Sequence, residues 1–183
     1  LRRGRRRGEQ PDTETPLSGG PEINLHVPAL IPDDYLPDVF TRLTLYKRIA
    51  GCTNAGQLKE LEIEIIDRFG LLPQAIKNLF RVTELRQRAE ALGITRIEAG
   101  PSGGRIEFSE RTKVDPLHIV RMVQNSPGRY SLDGATTLKF TLDAEEPRER
   151  IDEVEALLDH LDQAGTDQPS RQETATAAEE NAE

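Results

Sequence analysis

The chain has 183 residues, of which 36% are hydrophobic, with a formal net charge of −8 and a single cysteine. This length allows one domain, or a smaller domain with tails, and one cysteine excludes a disulfide framework, which fits a reducing cytoplasm. The sequence holds neither a transmembrane span nor a signal peptide, so no membrane partner is expected. The acidic balance disfavours direct nucleic-acid binding and favours basic surfaces on proteins as partners.

The two ends of the chain differ in composition from its middle. Residues 1–8 carry five arginines, and residues 165–183 lack apolar periodicity. We therefore predict a disordered basic arm and linker at 1–21, a folded domain at 22–164 and a disordered acidic tail at 165–183. Subtracting both ends from the totals of 24 basic and 32 acidic residues leaves 18 and 24 in the middle, a net charge of −6. Because the chain begins with Leu and not Met, we expect a fragment or a processed product.

The folded region begins with a predicted strand and helix. Apolar and polar residues alternate over residues 23–27 and stop at Pro28, which is typical of a short edge strand. Asp38 is placed to start a helix that ends at Gly51. The apolar residues of this helix are expected to face inward, and they are Val39, Phe40, Leu43, Tyr46 and Ile49.

Two further helices are predicted before the pattern changes. Asn54 can cap the first of them, which runs to Phe69 and closes at Gly70. Pro73 suits the first turn of the next helix, which ends at Gly93. The inward positions of that helix recur at helical spacing, and they are Ile76, Leu79, Phe80, Leu85, Ala89 and Leu92.

After Gly93 the periodicity becomes that of strands in hairpins. Residues 94–98 and 105–108 flank a glycine-rich loop, and residues 130–132 and 137–142 flank an Asp-Gly turn. Between the hairpins Asp115-Pro116 opens a helix, and a last helix carries one apolar stripe. That stripe is Ile151, Val154, Leu158 and Leu161. The order is one strand, three helices and then β-β-α-β-β-α, which indicates an α+β fold with a small sheet and not a doubly wound sheet.

An acidic stripe on the second helix is the main candidate site. At about 100° per residue, Glu60, Glu64 and Asp67 fall within about 60° of one another. The helix places Leu58, Leu61, Ile65 and Phe69 on the opposite side. No Lys or Arg is expected to balance these carboxylates, so they suit arginines from another domain; an ordinary solvated face is the alternative. Catalysis is not expected, because no His, Ser or Cys accompanies the carboxylates.

Other candidates have simpler interpretations. The glycine-rich loop at 100–104 precedes a strand and not a helix, so a hairpin is favoured over a phosphate site. His26, His118 and His160 form no metal-ligand pattern with Cys52, which is expected to be half-buried. The basic side chains of the first helix either contact acidic partners or flank its solvent face, and they are Arg42, Lys47 and Arg48.

Several long segments resemble the C-terminal domain of bacterial transcription-repair coupling factor (Mfd). They are LIPDDYLPDV at 30–39, RLTLYKRIA at 42–50, IDRFGLLP at 66–73, LGI at 92–94, GGRIEF at 103–108, YSLDG at 130–134 and LKF at 138–140. The similar segments occur in the same order from about residue 20 to residue 161. The stretch GEQPDTETPLSGGPEI resembles the variable linker that leads into that domain, whereas the arginine run departs from the family.

The resemblance implies a regulatory module at the end of a larger protein. That protein is expected to be an ATP-dependent DNA translocase, with ATP and Mg²⁺ in its motor, which displaces stalled RNA polymerase. The module is expected to dock on an N-terminal UvrB-like domain, to mask recruitment of UvrA and to hold the resting protein inhibited. Glu64 and Asp67 match acidic positions expected to face basic residues of that N-terminal domain.

The motor itself is not encoded here. No GxxxxGK[ST] sequence is present, so we expect no enzymatic activity and no catalytic, cofactor or metal residues on this chain. One alternative is an independent nucleic-acid-binding appendage that uses the arginine arm, whose binding would weaken steeply with salt. A small hydrolase is another, but it would require clustered catalytic groups that the sequence does not offer.

Overall fold

A computed structural model describes residues 19–163 of the chain. The predicted arm at 1–8, most of the predicted linker and the predicted tail at 165–183 lie outside the described residues. Within the described range, five helices and five strands follow one another in the predicted order, and the strands form a mixed sheet. The predicted α+β class is therefore confirmed. None of these helices is long and apolar enough to cross a membrane.

The first half contains the elements β1 (Glu22–Asn24), α1 (Val39–Gly51), α2 (Ala55–Phe69) and α3 (Gln74–Leu92). The side chain of Asp38 accepts a hydrogen bond from the backbone N–H of Thr41 at 2.8 Å, and that of Asn54 accepts one from Gln57 at 2.9 Å. Both caps satisfy amides that the helix itself leaves unpaired, so the predicted starts of α1 and α2 are confirmed. Pro73 lies one residue before α3 and not inside its first turn.

The orientation of α1 agrees with the prediction in its last turns, where Ile49 is buried and Tyr46 is half-buried, but it differs at the start of the helix. Val39, Phe40 and Leu43 are exposed, Phe40 to 79%, whereas the buried residues are Leu45 and Ile49. α1 carries apolar residues around most of its circumference, so periodicity alone does not tell which side meets the core. Its N-terminal turns therefore present an apolar face to solvent.

The second half contains two hairpins, each followed by a helix. Its elements are β2 (Ile94–Ala99), β3 (Gly103–Phe108), α4 (Pro116–Asn125), β4 (Tyr130–Asp133), β5 (Thr137–Thr141) and α5 (Pro147–Asp162). The backbone of Gly93 has φ +72° and ends α3 in the left-handed conformation, and Gly134 has φ +70° in the β4–β5 turn. Both positions suit glycine because it has no Cβ. The predicted hairpins and the predicted start of α4 at Asp115 are confirmed.

All five strands form one sheet in the order β1-β2-β3-β5-β4, with β1 parallel to β2 and the other pairs antiparallel. β1 lies at an edge, as predicted. A row of paired residues crosses the buried centre of the sheet at Ile97, Ile106 and Leu138. The neighbouring positions point to the other face and carry ion pairs, among them Arg105 with Glu98. The sheet therefore covers a core with one face and meets solvent with the other.

Two hydrophobic clusters share α3. The first lies among α1, α2 and the start of α3, where Ile76 and Phe80 are buried. The second lies between the sheet and the helices, where Leu85 and Ala89 join the predicted stripe of α5, all four residues of which are fully buried. Because α3 contributes to both clusters, it fixes the position of α1 and α2 relative to the sheet.

Candidate protein-interaction site

The acidic stripe lies on α2, as the sequence predicts. Glu60 and Asp67 are exposed and Glu64 is half-buried. On the opposite side of the helix the residues packed in the first cluster are Leu58, Leu61, Ile65 and Phe69. The buried side holds the helix in place, so the carboxylates extend from a fixed backbone.

Glu64 is balanced by an arginine of the neighbouring helix. The two terminal nitrogens of Arg48, in the last turns of α1, donate to the two carboxylate oxygens of Glu64 at 2.7 and 2.6 Å. The side chains are 44% and 40% exposed. The expectation that no Lys or Arg balances the stripe is therefore wrong at this position. These hydrogen bonds lower the pKa of the Glu64 carboxyl.

Arg68 also lies near Glu64 but makes a weaker contact. Its guanidinium is 3.6 Å from the carboxylate, one helical turn away, and lies over the ring of Phe69. Within residues 19–163, neither Glu60 nor Asp67 takes part in an ion pair or a side-chain hydrogen bond. The stripe therefore contains one paired carboxylate between two that are open to solvent.

An open groove of about 350 Å³ runs between the end of α1 and α2. The residues that line it are Arg48, Gly51, Cys52, Gln57, Glu60, Leu61 and Glu64. The thiol of Cys52 is half-buried, as predicted, and donates to the backbone oxygen of Arg48 at 3.3 Å. Burial raises the pKa of this thiol, which makes it a poorer nucleophile at neutral pH. The groove thus offers charged and polar contacts and no activated group.

The glycine-rich loop and the histidines of α4 and α5 make contacts within the fold. The glycine-rich loop turns between β2 and β3 in a hairpin. His118 and His160 are distant in sequence, but α4 and α5 bring their rings to 5.0 Å, and a ring nitrogen of His118 lies 3.0 Å from the backbone oxygen of His160. In the part of the chain that the structure describes, no three His, Cys, Asp or Glu residues are grouped to hold a metal ion.

The contact between Arg48 and Glu64 was missed from the sequence. The two residues are 16 positions apart on different helices, whereas helical periodicity relates residues within one helix. One signal was available: only residues 52–54 connect α1 to α2, and a connection this short keeps consecutive helices adjacent.

These features define a small α+β domain with two hydrophobic clusters and an acidic face on α2. The family profile of the TRCF domain matches residues 25–119, just over half of the chain. The chain belongs to the TRCF domain family.

Two curated relatives align with most of this chain. It is 42% identical over 156 residues to the transcription-repair-coupling factor of Escherichia coli and 46% identical over 151 residues to that of Haemophilus influenzae. The matches cover 85% and 82% of this chain but 14% and 13% of the relatives. The chain therefore spans about one seventh of the length of these proteins.

A solved structure has the same fold. The crystal structure of the C-terminal domain of a transcription-repair coupling factor superimposes with a TM-score of 0.65 at 22% sequence identity. The match covers 79% of this chain and 96% of that one. The resemblance noted in the sequence is thus confirmed by the family profile, by the relatives and by the fold.

Proposed function

We propose that this chain is a regulatory C-terminal domain of a transcription-repair coupling factor. It docks through the acidic face of α2 on the N-terminal UvrB-like domain of the same protein and masks the surface that recruits UvrA. Docking holds the resting protein inhibited, and release exposes the recruiting surface. The family membership and the names of the curated relatives support this assignment.

The chemistry belongs to other parts of that protein. The parent translocates on DNA with ATP and Mg²⁺, displaces stalled RNA polymerase and passes the lesion to excision repair. The 183 residues lack a phosphate-binding GxxxxGK[ST] sequence, so in this proposal the domain restrains a motor encoded elsewhere and has no reaction of its own.

One observation carries the proposal most directly. The carboxylates of Glu60 and Asp67 are exposed and unpaired within the described range, and they extend from the same helix face as Glu64. Arginines of a basic partner surface would form charge-assisted hydrogen bonds with them. Close charge pairs across protein interfaces are coupled by about 1.5 kcal/mol or more, and a hundredfold shift between two states needs about 2.7 kcal/mol. Two or three such pairs therefore suffice for a reversible restraint.

The test is charge reversal in the full-length protein. Glu64→Arg with Asp67→Arg should raise both UvrA binding and basal ATPase activity, because like charges would face each other across the contact. Since Glu64→Arg also breaks the pair with Arg48, a second variant, Glu60→Arg with Asp67→Arg, keeps that pair intact and should have the same effect.

The matched control places the same charge change away from α2. Glu90 and Glu110 are exposed and make no ion pair with another described residue, so Glu90→Arg with Glu110→Arg should leave both readouts at the wild-type level. Unchanged UvrA binding and unchanged ATPase activity in the α2 variants would overturn the docking proposal.

A further inference from the structure

We propose that docking proceeds by arginine exchange at Glu64. In the free domain Arg48 occupies the Glu64 carboxylate, and in the docked state an arginine of the partner takes its place. This inference rests on the proposed docking function and adds how the contact is regulated. Arg48 is then an internal competitor that sets how tightly the domain docks.

The geometry of the pair identifies the kind of partner group. Arg48 contacts Glu64 through two parallel N–H···O bonds, one to each carboxylate oxygen. A planar guanidinium forms this arrangement, whereas the ammonium of a lysine acts as a point charge and would replace only part of it. The Glu64 carboxylate thus already binds a guanidinium, the same group that we expect from the partner.

The surroundings of Arg48 allow it to leave. Glu64 is the one residue in the range 19–163 with which the guanidinium of Arg48 makes an ion pair or a hydrogen bond. With 44% of its side chain already exposed, a displaced Arg48 would extend into water and would not become a buried, unpaired charge. Exposed ion pairs are weak, so exchange with a partner arginine costs little.

The position of Arg48 explains why this side chain would affect the affinity for the partner. Arg48, Glu60 and Glu64 line the same groove beside the exposed face of α2. A partner arginine that reaches the Glu64 carboxylate comes next to the guanidinium of Arg48, which already donates to both of its oxygens. Two guanidinium groups in such close proximity repel each other. One carboxylate also cannot make the same bidentate contact with both of them.

The experiment measures the affinity of the 183-residue chain for the separately produced N-terminal domain of the same protein by titration calorimetry. Arg48→Gln should tighten binding by about two- to fivefold, the range that corresponds to a weak exposed ion pair. Arg68→Gln is the matched control, because Arg68 carries the same charge beside the same carboxylate but makes no bidentate contact with it. Arg68→Gln should change the affinity less than Arg48→Gln does.

A double-mutant cycle assigns the gain to Glu64. In the Glu64→Gln background, Arg48→Gln should no longer tighten binding, since there is no carboxylate to release. Weaker binding of Arg48→Gln, or a gain equal to that of Arg68→Gln, would overturn the exchange.

The same titrations separate this inference from the docking function itself. If Glu60→Gln with Asp67→Asn weakens binding while Arg48→Gln does not tighten it, docking stands and the exchange is wrong. If neither Glu60→Gln with Asp67→Asn nor Glu64→Gln weakens binding, the docking function fails, and the exchange fails with it.

Discussion

The guanidinium of Arg150 donates a hydrogen bond to the backbone oxygen of Leu25 at 3.0 Å, which joins the start of α5 to the segment that follows β1, 125 residues earlier. It also donates to the backbone oxygens of His26, Ala144 and Glu145. Arg150 is 4% exposed and forms no ion pair with a described carboxylate. Four backbone oxygens therefore compensate one buried charge.

Arg150→Met should destabilise the domain strongly. The substitution leaves four carbonyl oxygens without the donors they have in the native fold, and each buried unsatisfied group costs about 1–3 kcal/mol. We expect a loss of at least about 3 kcal/mol in the free energy of unfolding, measured by urea denaturation. Arg148→Met, on an exposed position of the same helix, should stay within about 0.5 kcal/mol of the wild type. Equal losses in the two variants would contradict this role of Arg150.

The orientation of α1 gives a second prediction. Leu45 is 3% exposed and lies in the first cluster, so Leu45→Ala should cost about 2–5 kcal/mol through lost packing and a residual cavity. Phe40→Ala removes a larger side chain that lies mostly in solvent, and it should change the free energy of unfolding by no more than about 0.5 kcal/mol. Urea denaturation of both variants in parallel shows which of the two side chains is buried. A larger loss of stability in Phe40→Ala than in Leu45→Ala would favour the orientation predicted from the sequence.

Local signals account for what the sequence predicted well. The caps at Asp38 and Asn54 and the glycine at 93 act within a few residues, so the ends of these helices follow from the chain itself. The stripe of α5 is equally clear, because polar residues occupy its other sides. α1 lacks this contrast, since Phe40 and Leu45 are both large and apolar, and tertiary packing decides which of them is buried.

The tight turn into β3 gives a third prediction. A Cβ built on Gly104 would lie 2.0 Å from the backbone oxygen of Glu98 on the paired strand, a distance at which the strands must separate. Gly104→Ala should therefore destabilise the domain by about 2 kcal/mol or more. Gly100→Ala is the control, because its Cβ would have no neighbour closer than 4.0 Å. Thermal unfolding measures both variants, and an unaffected Gly104→Ala would contradict the register of β3 against β2.

The site was only half predictable, for a physical reason. The angular positions of Glu60, Glu64 and Asp67 follow from helix geometry and agree with the structure. Their electrostatic partners depend on which helix packs alongside, and Arg48 reaches Glu64 across that packing. A sequence that shows an acidic face therefore does not show which of its carboxylates are free.

The pair of Arg48 and Glu64 gives a prediction that titration can check directly. The hydrogen bonds from Arg48 lower the pKa of the Glu64 carboxyl in the folded state. A lowered carboxyl pKa means that the pair contributes stability above the ordinary pKa of the unfolded chain, and that this contribution is lost as the pH falls through the lowered value.

Carbon-detected NMR of the Glu64 carboxyl should therefore give a pKa below the ordinary value of 4.5 in the wild type. The pKa should rise in Arg48→Gln and change less in Arg68→Gln, whose guanidinium makes the longer contact of 3.6 Å. If Glu64 titrated at the same pH in the wild type and in Arg48→Gln, the pair would not hold the carboxylate in solution, and the competition that we propose for docking would have no basis.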